Sequence, residues 1–109
     1  MILDIAYKEY RVIVYDSRRI EWRLNGLRHR EDGPAVIKNN GTRKWFYKGK
    51  LHREGGPALY ADGNKSWYRH GSLHREDGPA CEYADGRKAW YLYNVIHSEE
   101  SWKFVVGII

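Results

Sequence analysis

The sequence predicts an all-β fold, a single domain built as an array of about four antiparallel β-hairpin repeats. A tract worded LHREDGPA, or close to it, occurs three times and ends at Ala35, Ala58 and Ala80. Tryptophans recur with gaps of 23, 22 and 23 residues, at Trp22, Trp45, Trp67 and Trp90. A fixed period of this length indicates one small supersecondary unit that stacks on its own copies. Nine tyrosines and five tryptophans also favour sheet over helix.

Each copy contains a strong hairpin signal between two short apolar segments. The signals are Asn40-Gly41, Asp62-Gly63 and Asp85-Gly86. A two-residue type I′ turn needs positive φ at both central residues, so Gly63 and Gly86 are predicted to hold positive φ in two-residue turns. The pairs Lys48-Gly49 and His70-Gly71 are predicted to start the connection to the next hairpin. Gly-Pro-Ala is predicted to end it, because proline fits only the start or the edge of a strand.

The two ends of the chain depart from the repeat. We expect residues 1–11 to form an N-terminal edge segment, 12–97 the repeats and 98–109 a C-terminal cap. The first copy has Ser17-Arg18 where later copies have Asp-Gly. Terminal repeats often depart from the consensus in this way because they cap the stack. The apolar FVVGII near the C-terminus predicts a closing strand or a self-association edge. The apolar ends would also allow a homodimer.

The recurring residues are expected to serve structure. The tryptophans are predicted to be buried in a ladder, with Trp22, beside the degraded first copy, the most tolerant of replacement. The recurring histidines are predicted to bond to backbone or to an acid in the same connection. The Arg-Glu-Asp triplets are predicted to form solvated charge ladders along one edge. Cys81 replaces Val36 and Leu59 of the other copies, so we expect a small apolar core residue there.

Cofactors and catalysis are not expected. Repeats about 9–10 Å apart cannot supply ligands to one zinc ion, and the chain has no paired cysteines and no HExxH spacing. No group occurs once in a catalytic arrangement, which predicts a protein that is not an enzyme. A single cysteine favours a reducing compartment, so we expect a cytoplasmic protein. No apolar run reaches the roughly 18 residues of a transmembrane segment.

The charge predicts an acidic partner. Residues 1–56 carry 13 Lys/Arg against 7 Asp/Glu, a net +6, whereas residues 57–109 carry 6 against 7, a net −1. Aromatic residues and arginine dominate protein-interface hot spots. The candidate partner-binding residues are therefore Arg43, Lys44, Phe46, Tyr47, Lys48, Tyr68, Arg69, Tyr91 and Tyr93. If they face away from the tryptophans they would form a continuous strip, and binding is expected to concentrate on the first two repeats.

Two other partners fit the same charge. The alternative is a nucleic acid bound through Arg18, Arg19, Arg23, Arg43, Lys44, Lys48 and Lys50. A third hypothesis is contact with anionic phospholipid head groups.

Over residues 12–97 the period near 23, the Asp-Gly turn, the aromatic strand and the His before Gly resemble MORN repeats. The LHREDGPA wording is similar to variant MORN-type repeats of uncharacterised bacterial and phage proteins. The chain departs from the usual pattern in carrying Arg-Glu-Asp between His and Gly-Pro. The resemblance implies an elongated, twisted ribbon of hairpins used for binding, with no conserved chemistry. It suggests a non-enzymatic protein-binding module, such as a phage-type counter-defence inhibitor that blocks a protein in the host cytoplasm.

Overall fold

A computed structural model of the chain describes residues 2–108 and shows an all-β hairpin array with one short helix. The described strands are β1 Leu3–Tyr7, β2 Tyr10–Val14, β3 Ile20–Leu24, β4 Leu27–Arg28, β5 Val36–Ile37, β6 Arg43–Lys44, β7 Phe46–Tyr47, β8 Lys50–Leu51, β9 Leu59–Ala61, β10 Asn64–Ser66, β11 Tyr68–Arg69, β12 Ser72–Leu73, β13 Cys81–Glu82, β14 Lys88–Leu92 and β15 Val95–His97. Helix α1 spans Glu99–Ile108. The predicted fold class is confirmed.

Most strands belong to one long antiparallel sheet. Its order is β1-β2-β3-β5-β6-β9-β10-β13-β14-β15, and β4 pairs with β3 beside this path. The pairs β7-β8 and β11-β12 form two separate two-stranded sheets. Because each strand pairs mainly with its sequence neighbours, the molecule is elongated, with extents of 50 × 29 × 18 Å.

Each repeat contains a second hairpin that the sequence analysis missed. The pairs Lys48-Gly49 and His70-Gly71, expected to start a connection, are the turns of β7-β8 and β11-β12. Both residues of each turn have positive φ, at 49° and 81° in the first and 47° and 86° in the second. These are the φ signs that a type I′ turn requires. The connection therefore begins with a tight hairpin.

The turns of the predicted hairpins are of two kinds. Asp62 and Gly63 have φ of 52° and 79°, as a two-residue type I′ turn requires. Gly86 also has the predicted positive φ, at 91°, but the two-residue turn predicted there is wrong. Hydrogen bonds from Tyr83 N to Arg87 O and from Gly86 N to Tyr83 O, both 2.9 Å, close a three-residue loop instead. In such a loop only the glycine has to be left-handed.

The connector loops bring an arginine onto each of the first three tryptophans of the repeat. The guanidinium carbons of Arg30, Arg53 and Arg75 lie 4.1, 4.0 and 3.9 Å from the ring centres of Trp22, Trp45 and Trp67, respectively. Each guanidinium also donates a hydrogen bond to the carbonyl of the proline four residues later. The predicted ladder of buried tryptophans is wrong, and so is the prediction of solvated Arg-Glu-Asp triplets as far as their arginines are concerned. The rings of Trp22, Trp45 and Trp67 are half-buried, and in each case the cover is an arginine side chain. The Glu and Asp side chains of the triplets face outward.

The fully buried positions of the connector are small or histidine. Ala35, Ala58 and Ala80 are 0% exposed. Each connector histidine accepts a hydrogen bond at Nδ1 from a backbone N–H of the next type I′ turn: Lys48 to His29 at 2.8 Å, His70 to His52 at 2.9 Å and Tyr93 to His74 at 3.0 Å. Nε2 of each ring faces the glutamate two residues later. The structural role predicted for these histidines is confirmed.

The C-terminal segment is helical, so the closing strand predicted there is wrong. Ser98 Oγ accepts a hydrogen bond from Ser101 N at 3.1 Å, which caps the helix, and two glutamates in the first turn favour its N-terminus. Trp102 is buried, and its indole N–H donates to Arg75 O at 2.9 Å. This helical cap and the tertiary contact of Trp102 outweigh the strand preference of the β-branched residues that follow.

Candidate functional site

A buried glutamate organises one face of the N-terminal half. Glu21, in the middle of β3, has no exposed surface. Its carboxylate accepts hydrogen bonds from Arg23 Nη2 at 2.9 Å, Arg28 Nη2 at 2.7 Å and the Tyr15 hydroxyl at 3.0 Å. Arg19 Nη2 lies 3.9 Å from the same group. Three arginines therefore converge on one carboxylate.

The carboxylate is ionised in spite of its burial. Burial alone would raise the pKa of Glu21, but the hydrogen bonds from Arg23 and Tyr15 and the charge of Arg28 outweigh it and hold the pKa below its ordinary value. The hydrogen bond to Glu21 in turn raises the pKa of Arg23. The carboxylate and the guanidinium thus stabilise each other's charged form.

Two lysines extend this cluster across the sheet. Glu21 pairs with Val36 on β5, and Val36 pairs with Lys44 on β6, so Glu21 and Lys44 lie in one row on the same face. Burial, followed by the positive charges of Lys38, Arg28 and Arg19, lowers the pKa of Lys44. We define the basic cluster as Glu21 with the five cations Arg19, Arg23, Arg28, Lys38 and Lys44.

Two aromatic rings lie against the arginines of the basic cluster. The guanidinium carbon of Arg28 lies 5.3 Å from the ring centre of Phe46, and that of Arg19 lies 4.1 Å from the ring centre of Tyr15. Both rings are half-buried. The face therefore combines fixed cations with accessible apolar surface, which suits an acidic protein partner.

The predicted partner-binding residues of β7 are separated by the strand. Phe46 contacts the basic cluster, whereas Tyr47 lies among the imidazoles of His29, His52 and His70, with ring centres 4.7, 5.9 and 6.2 Å away. Lys48 lies over the ring of Tyr47, at 5.4 Å. Successive side chains of a strand point to opposite faces, so neighbours in sequence cannot share one surface.

The two candidate arginines, Arg43 and Arg69, lie outside the basic cluster. Arg43 is exposed and belongs to the adjacent row, paired with Ile37 and Tyr60. Arg69 forms an ion pair with Glu76 at 3.2 Å.

The candidate tyrosines of the last two repeats are Tyr68, Tyr91 and Tyr93, and Tyr68 and Tyr91 are close enough to interact electrostatically. Tyr93, 61% exposed, packs on His74 with ring centres 4.0 Å apart. Burial, followed by the neighbouring Cys81 and Tyr91, raises the pKa of Tyr68. The nine predicted residues do not all share one face, because Phe46 and Tyr47 point to opposite sides of β7. Of the nine predicted residues, Lys44 and Phe46 meet at the basic cluster.

The alternative nucleic-acid set divides in the same way. Arg19, Arg23 and Lys44 belong to the basic cluster, whereas Arg18, Lys48 and Lys50 are exposed at turns and on an edge. Glu21, Arg28 and Lys38 were not predicted from the sequence as site residues. A signal was present for Glu21, because Arg19, Glu21 and Arg23 are spaced by two and so share one face of a strand. The positions of Arg28 near Glu21 and of Lys38 near Lys44 depend on how the strands are aligned, which the sequence did not reveal.

A concave region that is separate from the basic cluster lies between successive connector loops. A cavity of about 800 Å³ is lined by residues that include Trp45, Tyr47, His52, Arg53 and His70. These groups already contact one another: Arg53 covers Trp45, and His52 stacks on His70 with ring centres 4.1 Å apart. Within residues 2–108, no group of three His, Cys, Asp or Glu is arranged to hold a metal ion. The residues that line this cavity therefore serve contacts within and between successive repeats.

Comparisons with protein-family models, with curated proteins and with solved structures find no match to this chain. Among the described residues, no helix combines the length and apolarity that crossing a membrane requires.

Proposed function

We propose that the protein is a non-enzymatic binding module that recognises an acidic surface of another protein through the basic cluster and Phe46. The observation that carries the proposal is the convergence of three arginines on one buried carboxylate, with Lys44 in the same row of the sheet and Lys38 beside Lys44. Glu21 offsets one of these charges, so the cluster keeps a positive excess. Electrostatic complementarity of this kind steers encounter with an acidic partner and suppresses association with basic ones.

The basic cluster is also fixed before any partner arrives. Glu21 holds the side chains of Arg23 and Arg28 at hydrogen-bond distance, and Phe46 packs against Arg28. Ordering a long side chain at an interface costs about 0.5–1.5 kcal/mol, so arginines that are already ordered bind at lower cost. An elongated molecule that covers a partner in this way could act as an inhibitor by occupying its surface.

Nucleic acid is the second candidate, and it is favoured by the grouping of Arg19, Arg23, Arg28 and Lys44 on one face. Phosphate contacts would make affinity fall steeply with salt, in proportion to the number of phosphates neutralised. Binding to random-sequence DNA or RNA with such a salt dependence would favour this reading. Affinity for a single acidic protein, with a weaker salt dependence, favours the first.

The experiment is a comparison of charge-reversal variants in capture from lysate of the native host. The double variant Lys38→Glu/Lys44→Glu changes the basic cluster without removing a hydrogen bond to Glu21. The matched control, Lys65→Glu/Lys88→Glu, reverses two exposed lysines of the C-terminal half. We expect the control to retain a specific protein that the cluster variant loses. Equal capture by both variants would contradict the proposal.

A further inference from the structure

The first and the fourth repeat carry loops with the same backbone hydrogen bonds but different central residues. Residues 15–19 and 83–87 both start with Tyr and end with Arg. The backbone bonds match: Tyr15 N to Arg19 O and Arg18 N to Tyr15 O are each 2.9 Å, as are the corresponding bonds in the fourth repeat. The final arginine lies over the ring of the tyrosine in both, at 4.1 Å for Arg19 and 4.9 Å for Arg87.

The difference is the acceptor that the arginine finds. In the fourth repeat, Asp85 Oδ2 accepts a hydrogen bond from Arg87 Nε at 2.7 Å. In the first repeat, Ser17 occupies the position of Asp85, and Arg19 Nε is buried with no hydrogen-bond partner among the described residues. The carboxylate of Glu21 is 3.9 Å from Nη2 of the same arginine, beyond hydrogen-bond distance. Asp16, in the same loop, has an interaction of its own.

A cavity with further hydrogen-bond donors lies at this position. It has a volume of about 420 Å³ and is lined by Ser17, Arg19, Lys38, Asn39 and Asn40. Asn40 Oδ1 already accepts from Thr42 N at 3.0 Å, which leaves its amide NH₂ to donate. Serine can donate through its hydroxyl, and lysine adds a positive charge. The lining therefore combines two cationic side chains with neutral donors, a set that suits an oxyanion.

We propose that this cavity binds one oxyanion, a carboxylate or a phosphate group, in the place that the Asp85 carboxylate occupies in the fourth repeat. Arg19 Nε, the Lys38 ammonium and the Ser17 hydroxyl are its donors. The biological use rests on the proposed function: the ligand there is an acidic side chain of the partner protein. The cavity adjoins the basic cluster through Arg19 and Lys38, so an acidic surface docked on the cluster can place a carboxylate in it.

The test is a titration of the full-length protein followed through the arginine Nε–Hε signals in ¹H–¹⁵N spectra. The probes are sodium acetate and inorganic phosphate, each added separately at constant ionic strength. We expect the Arg19 signal to shift in a saturable manner, because its N–H gains an acceptor. Arg87, whose acceptor is Asp85, serves as the internal control and should not shift.

Two reciprocal variants sharpen the test. Ser17→Asp gives the first repeat the carboxylate of the fourth, so Arg19 should stop responding to either anion. Asp85→Ser removes the internal acceptor, so Arg87 should begin to respond. Circular dichroism of both variants confirms that they fold. An Arg19 signal that does not saturate, or that responds equally in Ser17→Asp, overturns the site.

The same variants separate this site from the proposed function. The anion titration requires no partner, so it stands or fails independently of capture from lysate. If acidic-protein binding exists, Ser17→Asp should weaken it, and unchanged partner affinity would overturn the anchoring role. Preferential response to phosphate, together with capture of nucleic acid, would overturn the assignment to a protein carboxylate.

Discussion

Glu21 shows how one buried carboxylate can organise a binding face. Its hydrogen bonds from Arg23, Arg28 and Tyr15 place two cations on the same side of β3, and Arg19 completes the group. Such a residue would ordinarily be a liability, because burial disfavours a charge. Here it stabilises the fold only while it is ionised and only while its partners remain, which makes its contribution measurable.

We predict that Glu21→Gln destabilises the fold by about 1–2 kcal/mol at neutral pH, a modest value because its arginines keep contact with water. The folded pKa of Glu21 is depressed, so its contribution is present above the unfolded value of about 4.3 and is lost as pH falls through the folded pKa. Urea unfolding at pH 7 and at low pH should therefore show a difference from wild type that narrows in acid. Glu54→Gln, at a side chain 86% exposed, is the control.

The tryptophans give a second prediction. Trp67 is half-buried under Arg75 rather than sealed in a core, so we expect Trp67→Ala to cost about 2–3 kcal/mol, somewhat below a fully buried tryptophan. Trp22 contacts Arg30 and, edge to face, Tyr7 and Tyr10. Its replacement should therefore cost as much, contrary to the tolerance that the sequence suggested. Chemical denaturation of both variants decides it, and a clearly smaller loss for Trp22→Ala would restore the sequence-based expectation.

At the level of elements, the sequence predicted the hairpins that turn at Asn40-Gly41, Asp62-Gly63 and Asp85-Gly86. It did not predict the second hairpins, although Asn25-Gly26, the turn between β3 and β4, carries the same signal. In the next two copies Lys48 and His70 replace the asparagine, and lysine in particular rarely adopts positive φ. Their conformation is stabilised from outside the turn, by the backbone bonds to His29 and His52. The C-terminal helix was missed for a different reason. Its start signal at Ser98 was outweighed in the sequence by the apolar, β-branched run that follows.

The histidine that holds each turn predicts an acid-sensitive element. His52 Nδ1 accepts from the His70 amide, so protonation of Nδ1 breaks this bond. Burial, then the neighbouring His70, lowers the pKa of His52; Glu54 opposes this and Arg69 adds to it. A depressed pKa means that the contribution is present above about 6.5 and is lost as pH falls towards the folded value. Protection of the His70 amide from exchange, corrected for the intrinsic rate at each pH, should therefore decrease as the pH falls from about 7 to about 5.

The control for this prediction is His52→Gln, whose side chain does not titrate. The pH dependence of exchange at the His70 amide should flatten in this variant after correction for the intrinsic rate. An amide at residue 70 that exchanges equally in both proteins at every pH would show that the turn does not depend on the imidazole.

Across the whole molecule, charge is divided by position. The basic cluster lies in the N-terminal half, while the connector loops place exposed carboxylates such as Glu31, Glu54 and Asp77 along another side. The sequence predicted the positive excess of the N-terminal half from charge counts alone. It could not predict which residues meet, because the register that joins Glu21 to Lys44 runs through Val36, a residue with no functional signal. The far end exposes Val95, Ile96, Phe104 and Ile108, so a homodimer through the apolar ends stays a prediction.

The division of charge leads to a kinetic prediction for the partner complex. Charges steer encounter, whereas buried aromatic contacts slow dissociation. Lys38→Glu/Lys44→Glu should therefore lower the association rate and flatten its salt dependence, with little effect on dissociation. Phe46→Ala should raise the dissociation rate, because Phe46 lies at the basic cluster against Arg28. Tyr93→Ala, at an exposed ring on the histidine side, should leave both rates unchanged. If surface plasmon resonance instead shows that Tyr93→Ala or Tyr47→Ala releases the partner while Phe46→Ala does not, the binding face is the histidine side, and the basic cluster serves only to attract the partner.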